Sequence, residues 1–250
     1  SFVSFKRRST RNGAIDEQST MCFDGKGRKY QMRTRIANDN WLVTGFTVFN
    51  ARGAEVESYQ PYRSTSGDCE LTPPAGVSST KTKFDGLFRP LEKTLADAAV
   101  YGSASMERFE YLPLEERFFD AEDTVAGGPH EDTPLVRYTD GLGRMVKMER
   151  TLKEGGQNVV ASYQMHYDNT GSFTGYTDPE GTRHELEVDL ADRIVSISNP
   201  NFGKMEFTYS DSGKELERRD PRGIVRKSAY DGADRLIERW NDADRDGSLV

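Results

Sequence analysis

Two dipeptide marks recur every 21 residues through the last third of the chain. Tyr167-Asp168, Val188-Asp189, Tyr209-Ser210 and Tyr230-Asp231 keep one register. Asp178-Pro179, Asn199-Pro200 and Asp220-Pro221 keep a second, and Asn241 falls on its next beat. A short fixed period restricts a chain to a repeat architecture, in which each unit can bury its faces only against its neighbours. The unit reads aromatic-Asp-x-x-Gly-Arg, a short run, Asp-Pro-x-Gly and a second run. Both Asp motifs are turn sequences: Asp bonds its own backbone, Pro presets φ and Gly takes the positive φ. The runs between them have common strand lengths and alternate with period two. Leu186 and Val188 share one face, as do Val195 and Ile197, and Met205, Phe207 and Tyr209. The expected fold is all-β, a 21-residue repeat of two strands and two turns running as an antiparallel meander over residues 163–241.

Degenerate copies of the first half-unit precede it. Phe23-Asp24, Phe49-Asn50, Phe84-Asp85 and Thr139-Asp140 open turns at intervals of 26, 35 and 55 residues, and 28 residues separate the last from Asp168. Residues 1–134 therefore read as a degenerate β region with inserted loops at 61–80 and 95–134, the second able to hold a small cap or short helix. Residues 135–250 read as the regular region. Across the eight copies two columns are mostly large or β-branched, and both are expected to be buried. One precedes the Asp position: Phe23, Phe49, Phe84, Thr139, Tyr167, Val188, Tyr209 and Tyr230. The other lies six residues after it: Tyr30, Val56, Leu91, Val146, Thr174, Val195, Leu216 and Ile237. A third column is basic in six copies: Arg28, Arg89, Arg144, Arg193, Lys214 and Arg235. It is expected to be a solvated turn residue pairing with a nearby Asp, worth under about 1 kcal/mol. Opposite the apolar columns stand Arg183, Glu185, Glu187, Ser196, Ser198, Glu206, Thr208, Glu215, Glu217 and Arg219, which predicts a mixed-charge second face.

Composition narrows the classes. The 250 residues carry 41 acidic and 34 basic groups, a net charge of -7, which argues against a nucleic-acid partner. No run approaches the ~18 apolar residues of a membrane span. Mean hydropathy is -0.75, yet aromatics at 10% favour an ordered, extended β structure over disorder. The opening Ser-Phe-Val-Ser-Phe-Lys-Arg-Arg has neither Met nor a signal-peptide pattern, so the chain reads as a piece of a larger protein. Two cysteines, Cys22 and Cys69, exclude a disulfide scaffold and a four-cysteine zinc site; they could pair or stay free.

At Tyr167-Asp168 and Tyr230-Asp231 the sequence resembles the bacterial RHS/YD-repeat proteins. Asp140-Gly141-Leu142-Gly143-Arg144 and Tyr59-Gln60-Pro61-Tyr62 are similar to the B component of bacterial insecticidal toxin complexes. Phe88, Asp192 and Asp234 depart from the turn Gly, and Ser210 from the Asp. The resemblance implies a secreted protein whose repeats wind a curved sheet into part of a hollow shell wall. It implies as partners the rest of that shell, a C-component RHS protein with its toxic cargo, and a translocation-pore component. The family's self-cleaving core carries a longer Asp-Pro-x-Gly signature; Asp220-Pro221-Arg222-Gly223 keeps the repeat beat and reads as a turn. The rival class is a surface or secreted β-repeat module binding host glycans, which would need several exposed rings clustered in a groove.

No catalytic constellation stands out. His130, His166 and His184 form no zinc-protease pattern, and neither a Gly-x-Ser-x-Gly elbow nor a phosphate-binding Gly loop exists. The chain is expected not to be an enzyme and to need no cofactor. One motif points to a metal: Asp242, Asp244 and Asp246, with Gly247, match the opening of a calcium loop. The same hexapeptide also reads as an acidic turn on the Asp-Pro-x-Gly beat.

Overall fold

The computed structural model describes residues 1–7, 17–36, 40–97 and 105–242. Every element among them is a strand. The first eleven are β1 (Phe2–Arg7), β2 (Glu17–Phe23), β3 (Lys29–Arg35), β4 (Trp41–Thr44), β5 (Thr47–Phe49), β6 (Glu55–Tyr59), β7 (Tyr62–Ser64), β8 (Ser79–Phe84), β9 (Pro90–Thr94), β10 (Met106–Leu112) and β11 (Glu115–Phe119). The rest are β12 (Leu135–Thr139), β13 (Met145–Glu154), β14 (Gln157–Tyr167), β15 (Phe173–Thr177), β16 (Arg183–Val188), β17 (Ile194–Asn199), β18 (Gly203–Tyr209), β19 (Glu215–Arg219), β20 (Val225–Tyr230) and β21 (Leu236–Asp242). They form a five-stranded sheet in the order β1-β2-β3-β4-β7, and a 16-stranded sheet running from β21 back to β8, then β6 and β5. The long sheet is open, with β21 and β5 at its edges. The chain divides into two compact units, Ser1–Leu112 with Glu116–Pro134, and Pro113–Glu115 with Leu135–Val250.

In the second unit each strand from β12 to β21 pairs antiparallel with the next, so the meander expected over 163–241 is present. Its turns fall on the motifs. Asp178 and Asp220 each donate N–H to the carbonyl four residues on, and Gly181 and Gly223 close back on them. Register sorts the faces. Glu187, Ser196, Glu206 and Arg219 stand opposite one another across four strands, while Leu186, Ile197 and Met205 line up on the other face. The polar rows are laced by ion pairs, Lys204–Glu206 at 3.0 Å and Lys227–Glu217 at 3.6 Å. The other face is not uniformly apolar, because Phe207 stands opposite Arg218 and Arg218 opposite Arg226. Among hydrophobic side chains described in this unit only Val136 and Val225 are buried. Its order comes from the backbone ladder and cross-strand rows more than from a sealed core.

The second apolar column is a different thing from the first. At all eight copies the register shifts by one at the residue before the Asp position. The residue left over is the one six after it, so Tyr30, Val56, Leu91, Val146, Thr174, Val195, Leu216 and Ile237 are all β-bulge residues. A bulge adds a residue and breaks the alternation that the face assignment relied on. Their environments accordingly vary, from the buried Tyr30 to Ile237 at 66% exposure. The expected burial of that column is thus corrected, whereas every member of the first column is half-buried.

The first unit holds the densest packing. At 44–47 and 59–62 the chain passes between the two sheets, from β4 to β5 and from β6 back to β7. Phe46 sits at that passage, wholly buried with Val43 and Tyr62, and Tyr59 and Val77 pack against them. The 61–80 stretch, expected as a loop, contributes β7 and then folds onto the five-stranded sheet. Cys69 within it is disulfide-bonded to Cys22 of β2, which settles the pairing that composition left open. The 95–134 stretch, expected as an inserted loop, cap or short helix, holds β10 and β11 of the long sheet. Residues 98–104 of it lie outside the described residues.

Candidate functional site

The repeated turn is the most elaborated feature of the molecule. In the first copy Asp24 Oδ1 accepts the backbone N–H groups of Lys26 (2.8 Å) and Arg28 (3.0 Å), and Oδ2 accepts Arg28 Nε at 2.8 Å. Asp85, Asp140, Asp189 and Asp231 repeat this arrangement with Arg89, Arg144, Arg193 and Arg235. The fourth turn residue has positive φ in every copy, including Phe88 (66°), Asp192 (56°) and Asp234 (61°) where Gly is replaced. The turn geometry therefore survives a left-handed side chain, at about 1 kcal/mol each.

The arginine does more than pair with its own Asp. Arg28 lies over the Phe49 ring at 4.2 Å, Arg89 over Tyr111 at 4.2 Å, Arg144 over Tyr167 at 4.7 Å and Arg193 over Tyr209 at 5.1 Å. Arg52, two residues into its own turn, covers Phe88 at 4.1 Å. Each ring belongs to the following turn. Arg193 Nη1 also donates to the Ser210 carbonyl at 2.8 Å. The tyrosines reach back in return: the Tyr167, Tyr209 and Tyr230 hydroxyls donate to the carbonyls of Met145, Ile194 and Glu215. Turn glycines leave room, since a Cβ on Gly53 or Gly171 would stand 3.0 or 3.1 Å from Arg28 or Arg144 Nη1. The expected pairing with the turn Asp is present at all five arginines of the basic column, and four of them, Arg28, Arg89, Arg144 and Arg193, are in addition clamps between successive turns; Arg235 keeps only its Asp231 partner among its described contacts. The clamp gives the Tyr-Asp dipeptide a physical meaning: Asp shapes its own turn, while Tyr closes against the one before.

Arg193→Ala is therefore expected to cost at least half as much as Tyr209→Ala, itself about 2 kcal/mol for a half-buried ring. The column reading alone gives a several-fold difference. A double-mutant cycle by urea melts should return a coupling near 1 kcal/mol between the two, and additive losses would show the clamp to be idle.

The turn carboxylates titrate low. For Asp24, Asp85, Asp140 and Asp231 the backbone N–H of the turn arginine comes first among the causes, and its guanidinium adds to it. With the folded value below the unfolded one, the stabilisation is complete above the ordinary 3.8 and lost as pH falls through the folded value. The melting temperature should hold level from about pH 7 to 5 and drop below about pH 4. A decline already under way between those first two values would point to other groups.

His184 is held through both ring nitrogens, Nε2 to Asp178 Oδ2 at 2.9 Å and Nδ1 to Asn199 Nδ2 at 2.7 Å, and stacks on Tyr176 at 4.5 Å. Neither nitrogen is left to act as a base. His166 bonds Thr177, and His130 lies beside Glu122 on the surface. Both cysteines are in the disulfide, so neither offers a thiolate. Among the described residues no three His, Cys, Asp or Glu side chains group to hold a metal. Asp244 and Asp246 of the expected calcium loop lie outside the described residues, as does the Asp242 side chain. No described helix is long and apolar enough to cross a membrane.

Sequence reasoning missed one turn. Tyr111 takes the clamp ring position for Arg89, and Pro113-Leu114 turns β10 into β11 with Leu114 at φ 59°. The 55-residue gap between Asp85 and Asp140 thus contains a further turn, for which an aromatic shortly before Pro was the available signal.

No family profile and no curated protein matches the chain. Solved structures do. A TcdB2-TccC3-TEV crystal structure matches with a TM-score of 0.82 at 17% identity, over 99% of this chain and 14% of that one. TcdB2-TccC3 without its hypervariable C-terminal region gives 0.79 at 17%, over 93% and 13%. The Photorhabdus luminescens Tc holotoxin pore gives 0.80 at 15%, over 99% and 13%. The chain spans about one seventh of those chains' length. At such identities the likeness establishes the fold: the antiparallel β-sheet meander of this chain is shared with a segment of those toxin-complex structures.

Proposed function

We propose that this chain is a stretch of wall in a secreted bacterial RHS/YD-repeat toxin shell, enclosing a toxic polypeptide before translocation. Its role is structural and it catalyses nothing. Its partners are the rest of its own shell, a C-component protein with the cargo, and a translocation-pore component. The observation that carries the reading is the match of 99% of the chain to a segment of TcdB2-TccC3 at a TM-score of 0.82. Three features support it. The long sheet is open at β21, where Leu236 and Ile237 are exposed, as suits a wall that continues. The Cys22–Cys69 disulfide suits an oxidising, extracellular setting. One face is mixed-charge, which suits confinement of a chain without gripping it.

The rings count against a glycan-binding module. Many are distributed along the sheet, paired as in Tyr163–Tyr176 and Tyr167–Phe173 or covered by the clamp arginines, and the exposed Phe2 and Phe5 on β1 lie far in the chain's strand order from the exposed Phe202, in the turn between β17 and β18. The test is protease protection. The full-length protein is co-expressed with a C component carrying its toxic end, and limited proteolysis follows the cargo. Protection that disappears when the shell is opened is expected. Cargo cleaved equally fast with and without this protein would sink the proposal.

A further inference from the structure

The regular repeat departs from the arginine clamp at two steps: the Lys214 step keeps the Tyr230 hydroxyl bond to the Glu215 carbonyl without a guanidinium, and one step keeps neither part. Between the Asp168 and Asp189 turns the basic position is Ser172 and the ring position is Val188, so neither guanidinium nor phenol is supplied. Asp168 uses Oδ1 for Thr170 and Ser172, where Asp140 and Asp189 also bind an arginine through Oδ2. Val188 brings no hydroxyl to the carbonyl of Phe173, the counterpart of the Met145 and Ile194 carbonyls. At this step the surface carries a groove of about 440 Å³. Phe173, Leu186, Val188 and Ile194 give it an apolar floor, and Ser172 and Asp192 stand at its rim. The Asp192 carboxylate is exposed, accepting only the Ser172 hydroxyl at 2.7 Å among its described contacts.

We propose that this groove docks an arginine of a partner polypeptide together with an adjoining aromatic residue. The chain itself shows what the niche accepts, since four other turns hold the guanidinium of the same turn position over a ring there. Charge complementarity selects the cation: Asp168 and Asp192 flank the site on a chain of net charge -7. Arginine is favoured over lysine because a planar guanidinium can bond a carboxylate edge-on while its face lies on a ring. The volume falls within the range of ordinary ligand sites. The partner thus completes the ladder in trans, and the inference holds whether or not the shell reading does.

The test titrates the ¹⁵N-labelled full chain with acetyl-Arg-Tyr-amide and follows amide shifts. Saturable shifts confined to residues 168–173 and 186–194 are expected, with acetyl-Lys-Tyr-amide at least fivefold weaker. The Ser172→Arg/Val188→Tyr variant supplies the clamp in cis. It should melt higher than the parent and bind the arginine peptide at least tenfold more weakly. Asp192→Asn keeps an acceptor for Ser172 and should weaken the arginine peptide at least threefold, which preserves the test if the double variant misfolds. Absence of saturable shifts, equal binding of the two peptides, or an unchanged titration in either variant would overturn the proposal.

Discussion

Glu70→Ala is expected to destabilise the first unit by roughly 2–4 kcal/mol, far more than a surface carboxylate normally would. The reason is Arg33, whose side chain is wholly buried on β3. Its guanidinium donates to Gln31 Oε1 at 2.8 Å, Ser64 Oγ at 3.2 Å and the Ser66 carbonyl at 2.7 Å. Those partners are neutral. Glu70 Oε2, 2.7 Å away, supplies the negative charge, and removing it strands a cation inside the protein. Glu70 is about one-third exposed, so the loss is set below the full cost of breaking a wholly buried pair. Replacing both partners, as Arg33→Met with Glu70→Leu, removes the charge along with its neutraliser and should recover much of the loss. Urea melts of the three variants decide it. A single substitution costing less than about 0.5 kcal/mol, or a double costing the sum of the two singles, would mean that water reaches Arg33.

Arg33 also shows where the sequence stops being informative. In Lys29-Tyr30-Gln31-Met32-Arg33-Thr34-Arg35 a local reading puts Gln31 and Arg33 on a wet face. Both are fully buried, because residues 64–70 fold over them, and Gln31 bonds the Glu70 carbonyl. Cover that arrives from more than thirty residues away leaves no trace in a strand's own pattern. The turns were legible for the opposite reason. Asp24 binds Lys26 and Arg28, so its chemistry is complete within five residues and repeats wherever the motif does.

Between these limits lie features half visible in the sequence. The basic column could be seen, but Arg193 finds its ring at Tyr209, and the ring's role follows only when turns are placed side by side. The apolar column at Val195 could be seen as well. Its meaning was lost because the bulge inserts one residue, which puts Val188 opposite Ile194 while Glu187 stays opposite Ser196. A one-residue insertion is invisible to period-two reasoning, since both sides still alternate. The groove beside Ser172 follows the same logic in reverse: two unremarkable residues, Ser172 and Val188, matter because of what four other steps place there.

The largest expected effect comes from the disulfide. Cys22 and Cys69 are 47 residues apart, and closing a loop of that length in the unfolded chain corresponds to about 4 kcal/mol. Cys22 is wholly buried on β2, so the bond anchors the covering segment at the inner face of the five-stranded sheet. That segment carries Ser64, Ser66 and Glu70 to Arg33, and lays Gly67 on the Trp41 indole so closely that a Cβ there would collide with it. Loss of the bond frees the segment and weakens the Arg33 cage with it. The paired Cys22→Ser/Cys69→Ser variant, or the parent in reductant, should therefore lose about 3–4 kcal/mol in urea melts. The two effects should also be coupled. Glu70→Ala ought to cost markedly less in the disulfide-free protein, because the segment holding Glu70 against Arg33 has already loosened. Equal stability with and without reductant would show that the sheet holds the segment unaided. A full Glu70 penalty in the disulfide-free protein would show that the ion pair, rather than the covalent bond, keeps the cover closed.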